Sequence, residues 1–239
     1  MFLKKAIREI LVFFHLDITK NLKYDRLTKL IIKRTINSKS ICIDVGCHKG
    51  EILDLILKQS PNGQHYGFEP IPYLYENLKI KYSSKNHILP FALADNEGST
   101  TFQFVKNAPA YSGFKKRDYA INNPDIEELE VQMKTLDSII PISVKIDFIK
   151  IDVEGAELGV LKGSKRILSE NKPIVIFEFG LGASNYYGTQ PETIYDFIHS
   201  TGLKISLLDS WLKNKPSLKK LTFNELYFKN KEYYFIAHP

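Results

Sequence analysis

A chain of 239 residues, 44% hydrophobic and 25% charged, has material for one well-buried α/β domain and not clearly for two. No apolar run reaches the ~20 residues of a membrane-spanning helix. The net charge of +6 raises a nucleic-acid partner, but the basic residues are scattered among acids and form no stripe, so no nucleic-acid partner is expected.

Residues 1–38 read as a helical extension. Phe2, Leu3, Ala6, Ile7, Ile10, Leu11 and Phe14 recur at helical spacing, and a second helix follows to about Ile36. The apolar run at 10–14 is too short for a signal peptide, is followed by His15 and Asp17, and lacks a small-residue cleavage site. The first helix is basic and amphipathic. It suits packing on the domain or on a second copy of the chain, and it also suits peripheral contact with a membrane.

From residue 39 to the end, strands and helices alternate. Candidate strands are 40–44, 65–69, 88–93, 148–152, 174–179, 204–208 and 233–237, seven in all. Helical patterns fall at 51–58, 71–82, 156–169 and 191–200. This rhythm predicts a doubly wound, mostly parallel sheet with helices on both faces. Residues 100–105 alternate like an edge strand. The polar segment 107–130, with Pro109 and Pro124, interrupts the rhythm, and about 106–146 reads as a substrate-side insertion or lid.

The chemistry gathers at strand ends, where open α/β sheets bind ligands. ICIDVGCHKGE (41–51) is a strand ending at Asp44, a turn with Gly46 and Gly50, and a helix start. The turn is G-x-x-x-G and lacks the G-x-G-x-x-G of a dinucleotide site. It suits S-adenosylmethionine, with Asp44 taking the methionine amine and the turn N–H groups its carboxylate. Glu69, 25 residues after Asp44 and followed by Pro70, ends the second strand and is placed to accept both hydroxyls of a ribose. ALAD (92–95) brings Ala94 and Asp95 toward the adenine. FIKIDVEGAE (148–157) delivers Asp152 and Glu154 to the centre. Glu157 reads as a helix N-terminal acid favoured by the dipole. Cys42 and Cys47 flank Asp44, are badly oriented for a disulfide, and fit a reducing, cytoplasmic location.

DVGCHKGE, GFEP, FIKIDVEGAELGVLKGS and IVIFEFG together resemble the FkbM family of S-adenosylmethionine-dependent methyltransferases, over residues 40–180. The resemblance implies a class I methyltransferase (Rossmann-like) fold and O-methylation of a hydroxyl on a sugar, glycolipid or secondary metabolite. It maps the cofactor loop onto Asp44, Gly46 and Gly50, with Cys47 and His48 between them. The ribose acid maps onto Glu69, and the strand-end acids onto Asp152, Glu154 and Glu178.

A hydroxyl needs a general base, and Asp152, Glu154 and His48 are the candidates. His48 has the apt pKa but sits in the cofactor turn. Asp152 also belongs to the cofactor set. Asp152 and Glu178 end adjacent strands, so the pair is also able to hold Mg²⁺. Tyr111 and Ser112 in the insertion, with Glu178, Tyr186 and Tyr187, are the candidate acceptor contacts. Two rival functions stay open. One is a nucleic-acid methyltransferase, for which NNPD (122–125) is a displaced relative of an amino-methylating motif. The other is a non-catalytic scaffold that keeps the fold.

Overall fold

The computed structural model describes residues 19–82 and 86–239. The first helix expected in residues 1–38, with its membrane or subunit contacts, lies outside them. Helix α1 (Lys20–Thr35) begins at Thr19, whose hydroxyl accepts the Leu22 N–H, and ends with Lys33 and Arg34, cations at its negative pole. Then come β1 (Cys42–Val45), α2 (Glu51–Gln59), β2 (Tyr66–Phe68), α3 (Pro72–Lys81), β3 (His87–Leu89), β4 (Phe91–Leu93), β5 (Gly98–Val105) and β6 (Ile126–Lys134). The second half has α4 (Leu136–Ile139), β7 (Phe148–Ile151), α5 (Glu157–Lys162), α6 (Lys165–Asn171), β8 (Ile174–Glu178) and α7 (Pro191–Ser200). It closes with β9 (Lys204–Leu207), α8 (Leu208–Leu212), α9 (Lys220–Phe228) and β10 (Tyr234–His238).

Seven strands form one sheet in the order β3-β2-β1-β7-β8-β10-β9. The first five pair in parallel, and β10 runs antiparallel to β8 and β9. Strands buried on both faces read as apolar runs, and every residue of β1 and β7 is buried, including the charged Asp44 and Lys150. Successive side chains serve opposite faces. Ile43, Ile149 and Phe177 join Val160, Ile167, Ile194 and Phe223 on one side. Cys42, Phe148 and Ile176 join Leu27, Ile31 and Ile32 of α1 on the other. Helix α1 is therefore part of a covering layer and not a detached extension. Register places Asp44 beside Lys150 and Val45 beside Ile151, so β1 and β7 end level.

Three expected elements are corrected. The strand at 88–93 is two strands. Pro90 has no N–H for the ladder, and the chain changes sheet there: β3 pairs with β2, while β4 pairs with β6. The segment read as irregular to residue 130 contains β6, which pairs with β5 along its length in a three-stranded sheet ordered β4-β6-β5. It carries the exposed Glu127, Glu128 and Glu130, and those charges mask the strand. The helix at 156–169 breaks at Gly163, where a Cβ would lie 2.0 Å from the Ala94 carbonyl oxygen. Helices α8 and α9 escape the periodicity reading; α9 buries only Phe223 and Tyr227.

Ile31 is fully buried between α1 and the sheet. Truncating Ile31→Ala is expected to destabilise the domain by about 2–5 kcal/mol in chemical denaturation. A loss below about 1 kcal/mol would mean that α1 is an appendage after all.

Candidate functional site

The chain leaves β1 at Asp44 and turns at Gly46, whose φ is +81°. A Cβ there would stand 2.0 Å from the Asp152 carbonyl oxygen, so only glycine lets this turn lie against the end of β7. The Gly46 and Cys47 N–H groups donate to the Phe68 carbonyl at 3.0 and 3.1 Å. Glu69 holds the turn from the other side. Its Oε2 accepts the His48 N–H at 2.8 Å and its Oε1 the Ile71 N–H at 3.0 Å. Gly50 N–H donates to the Cys47 carbonyl. Four turn donors expected to hold an anionic group are thus used inside the fold. Cys47 is buried with Leu53, Leu78 and Tyr82 and donates its thiol to the Asp44 carbonyl at 3.2 Å. Gly50 starts α2 and receives the Tyr82 hydroxyl on its carbonyl at 2.8 Å.

Three cavities meet at Gly46, His48 and Asp152, which line all of them. The first, about 70 Å³, has Glu69, Pro70, Ala92 and Leu93 on one side and Phe102, Ser112 and Phe114 on the other. The second is a cleft of about 860 Å³ between the insertion, the ends of β7 and β8, and α1. The third, about 190 Å³, lies between α1 and the glycine turn and contains Asp44, Lys49 and Lys150. Ala94 and Asp95 line none of these. Asp95 is half-exposed and 3.9 Å from Lys162, and the chain presents Ala92 and Leu93 in their place.

The strand-end acids sit in one another's field. Burial pushes the Asp44 carboxyl up to about 7, against the pull of Lys150. Asp44 Oδ2 and His48 Nε2 are buried with no hydrogen-bond partner among the described residues. A buried carboxylate oxygen without a donor is completed by a cation, which fits the amine of an amino-acid group in the third cavity. Burial also brings Glu69 to about 7, while each of its oxygens keeps a lone pair for a ribose hydroxyl. His48 has φ +50°, and burial lowers its imidazole pKa, leaving it neutral near pH 7.

Asp152 is the focus. Burial works to raise its pKa, but the Lys150 charge and hydrogen bonds from Tyr234, Lys150 and Glu178 hold it below the ordinary aspartate value. Tyr234 donates to Asp152 Oδ2 at 2.6 Å, and Lys150 Nζ lies 3.0 Å from the same oxygen. Burial and the Asp152 charge raise Glu178 well above the carboxylate range. Burial and Asp152 likewise push Glu154 up to about 8, although Arg117 pulls it down. Glu154 is held in that ion pair with Arg117. Glu157 is buried and accepts the Gly155 and Val153 N–H groups at 3.0 and 3.3 Å, a structural role.

The expectation of Mg²⁺ at Asp152 and Glu178 finds no support. The Asp152 oxygen in question already receives an ammonium and a phenol, and no group of three or more His, Cys, Asp or Glu among the described residues has metal-holding geometry. The acceptor contacts divide. Tyr111 lines the cleft and Ser112 the small cavity, where its hydroxyl accepts the Val105 N–H at 3.0 Å. Tyr186 and Tyr187 line none of the three cavities; they anchor the insertion through Asp118 and the Phe114 N–H. Arg117 fastens the same loop to Glu154 and to the Gly182 carbonyl. Residues 122–125 lie away from the cavities, in a turn held by Asn107.

Sequence reasoning missed Lys150, Arg117 and a tyrosine wall. Tyr24, Tyr233 and Tyr234 line the cleft, with Tyr24 centroids 4.8 Å from each of the other two rings. Lysine inside the apolar run FIKI was a signal for the first. Nothing local marked Arg117, and the wall joins residues about 210 positions apart.

Among the described residues no helix is long and apolar enough to cross a membrane. No curated protein matches the sequence. Among solved structures, methyltransferase FkbM from Methylobacillus flagellatus KT superposes with a TM-score of 0.53 at 16% identity, over 85% of this chain and 44% of that one. The chain thus spans less than half of that relative's length. Precorrin-6y C5,15-methyltransferase from Geobacter metallireducens GS-15 gives 0.44 at 12% identity over 77% and 73%. Ribosomal protein L11 methylase from Lactobacillus delbrueckii subsp. bulgaricus gives 0.47 at 11% over 92% and 80%. The sequence model of the methyltransferase FkbM domain matches residues 44–205, which begin at the cofactor-turn acid and include all three strand-end acids of the cleft. With the seven-stranded class I sheet beneath them, these residues make the chain a member of the FkbM family of S-adenosylmethionine-dependent methyltransferases.

Proposed function

We propose that this protein methylates a hydroxyl of a sugar or glycolipid, with Asp152 as the general base. The observation that carries this reading is the position of Asp152. It is a carboxylate kept charged by Lys150 and Tyr234, at the junction of the cofactor-side cavities with a cleft walled by tyrosines and acids. Sugar rings offer apolar faces for tyrosines and hydroxyls for carboxylates, and the cleft carries both.

When bound, S-adenosylmethionine supplies an electrophilic sulfonium methyl. Asp44 would hold its amine, Glu69 its ribose, and Pro70, Ala92 and Leu93 the adenine side. Asp152 would accept the acceptor hydroxyl's proton as its oxygen takes the methyl, the C–S bond giving way and S-adenosylhomocysteine leaving. Tyr111 and Tyr233 flank the acceptor and limit its approach, which supplies the orientation that in-line transfer needs. A nucleic-acid acceptor is disfavoured by the same wall. Among the described residues the cleft offers no free basic side chain to phosphates, since its Arg117 is already paired with Glu154, and the ionised Asp152 faces it.

Three outcomes test this reading. Asp44 must be ionised to hold an amine, and its pKa in the free protein is about 7, as is that of Glu69. Affinity for S-adenosylhomocysteine should therefore fall between about pH 8 and about pH 6, approaching tenfold per unit for one group. Calorimetry on Asp44→Asn should show weaker binding with a flatter pH dependence; wild-type affinity that rises toward the acid side would contradict the assignment. Asp152→Asn should keep cofactor affinity and lose about 10²- to 10⁴-fold in transfer of labelled methyl to a panel of sugars and glycolipids. Undiminished transfer would remove Asp152 as the base. Tyr233→Ala should raise the acceptor KM several-fold with little change in cofactor affinity, and an unmoved KM would sink the tyrosine wall as an acceptor surface.

A further inference from the structure

We propose that Lys150 is a positioning residue that keeps Asp152 ionised and aimed into the cleft, and so selects which of the clustered acids serves as the base. This rests on the reading of Asp152 as the base.

The first observation is where the lysine lies. Lys150 is the third residue of β7, at the centre of the sheet, and only 3% of its side chain is exposed. A lysine sealed into such a strand is costly unless its charge is met, and packing alone would favour an apolar side chain there. All its contacts lead to one place. The ammonium donates to Asp152 Oδ2 at 3.0 Å and to the Ile151 carbonyl at 3.2 Å. It also approaches the Tyr234 hydroxyl at 3.5 Å and lies 4.6 Å from the centre of that ring. The carbonyl bond fixes the side chain beside its own strand, so it cannot follow the solvent.

The second observation is the company around Asp152. Asp44 faces it from β1 and Glu178 from β8, while Tyr234 donates to it from β10. His48 stands in the glycine turn, and Glu154 and Glu157 follow on its own loop. Carboxylates crowded in this way cannot all be charged, so protons remain on some of them. Lys150 is the ammonium in contact with Asp152, whereas Arg117 contacts Glu154. With both donors on one Asp152 oxygen, the charge of the cluster is drawn to Asp152 and the protons are left to its neighbours. Register makes the arrangement rigid, because Lys150 is paired beside Asp44 on one side and Ile176 on the other. Removing the ammonium would let a proton move onto Asp152, which would then be unable to accept one from a hydroxyl.

The test needs no acceptor. In the full chain, ¹³C-labelled at the aspartate carboxyl and loaded with S-adenosylhomocysteine, the Asp152 resonance is identified by its absence from Asp152→Asn. In the wild type it should stay ionised until acid unfolds the protein. Lys150→Met should move its midpoint up by at least about one pH unit, into the folded range, while Lys150→Arg should leave it low. A midpoint unchanged in Lys150→Met, or raised as far in Lys150→Arg, would overturn the proposal. If Lys150→Met does not fold, Lys150→Gln serves in its place. A wild-type Asp152 that titrates at or above the ordinary aspartate value overturns the proposal without any variant. The titration involves no transfer, so an Asp152→Asn enzyme that still methylates would end the base reading and leave the Lys150 result standing.

Discussion

At the carboxyl edge of this sheet the clustered acids centre on one charge pair, the buried Lys150 with the cleft-facing Asp152. Parallel strands bring acids to that edge at the ends of β1, β7 and β8. Left alone, such a cluster would take up protons and become inert. The ammonium in the middle strand and the phenol from β10 act on one carboxylate and leave the rest shifted upward. A graded set of acids results. Asp152 is held low, Asp44 and Glu69 lie near neutrality, and Glu178 lies well above the carboxylate range. On the proposed reading, the ionised acid serves as base, and the acids near neutrality become charged when a cationic cofactor arrives.

The fold secures this gradient in layers. Gly46 lets the cofactor turn touch the end of β7, and Glu69, just past β2, ties the turn down by accepting the His48 N–H while its other oxygen accepts the Ile71 N–H. The antiparallel β10 is what places Tyr234 opposite Glu178 and within reach of Asp152. Helix α1 closes the other side and contributes Tyr24 to the cleft. The insertion is fastened over the site at three points, by Arg117, Tyr186 and Tyr187, so the acceptor meets a formed wall.

Strand ends were legible in the sequence because buried parallel strands read as apolar runs, and an acid that stops such a run is conspicuous. Asp44, Glu69, Asp152 and Glu178 stood out for that reason, and the structure brings Asp152, Glu154 and Glu178 into one cleft. Contacts made across the chain were not legible. Tyr186 and Tyr187 looked like acceptor rings because nothing local revealed that their hydroxyls meet Asp118 and Phe114. The turn amides looked available because their acceptors, the Phe68 carbonyl and the Glu69 carboxylate, sit on another strand. Asp95 was two residues too late along a strand whose cavity-facing residues are Ala92 and Leu93. Charge density also hid β6, since a strand can carry three exposed glutamates and still pair along its length.

A crystal structure of the protein with S-adenosylhomocysteine tests the central claim most directly. The account predicts the homocysteine amine on Asp44, the ribose on Glu69, and the sulfur facing the junction where Asp152 remains joined to Lys150 and Tyr234. A ligand bound away from that junction, or a Lys150 side chain turned from Asp152 to the ligand's carboxylate, would contradict it.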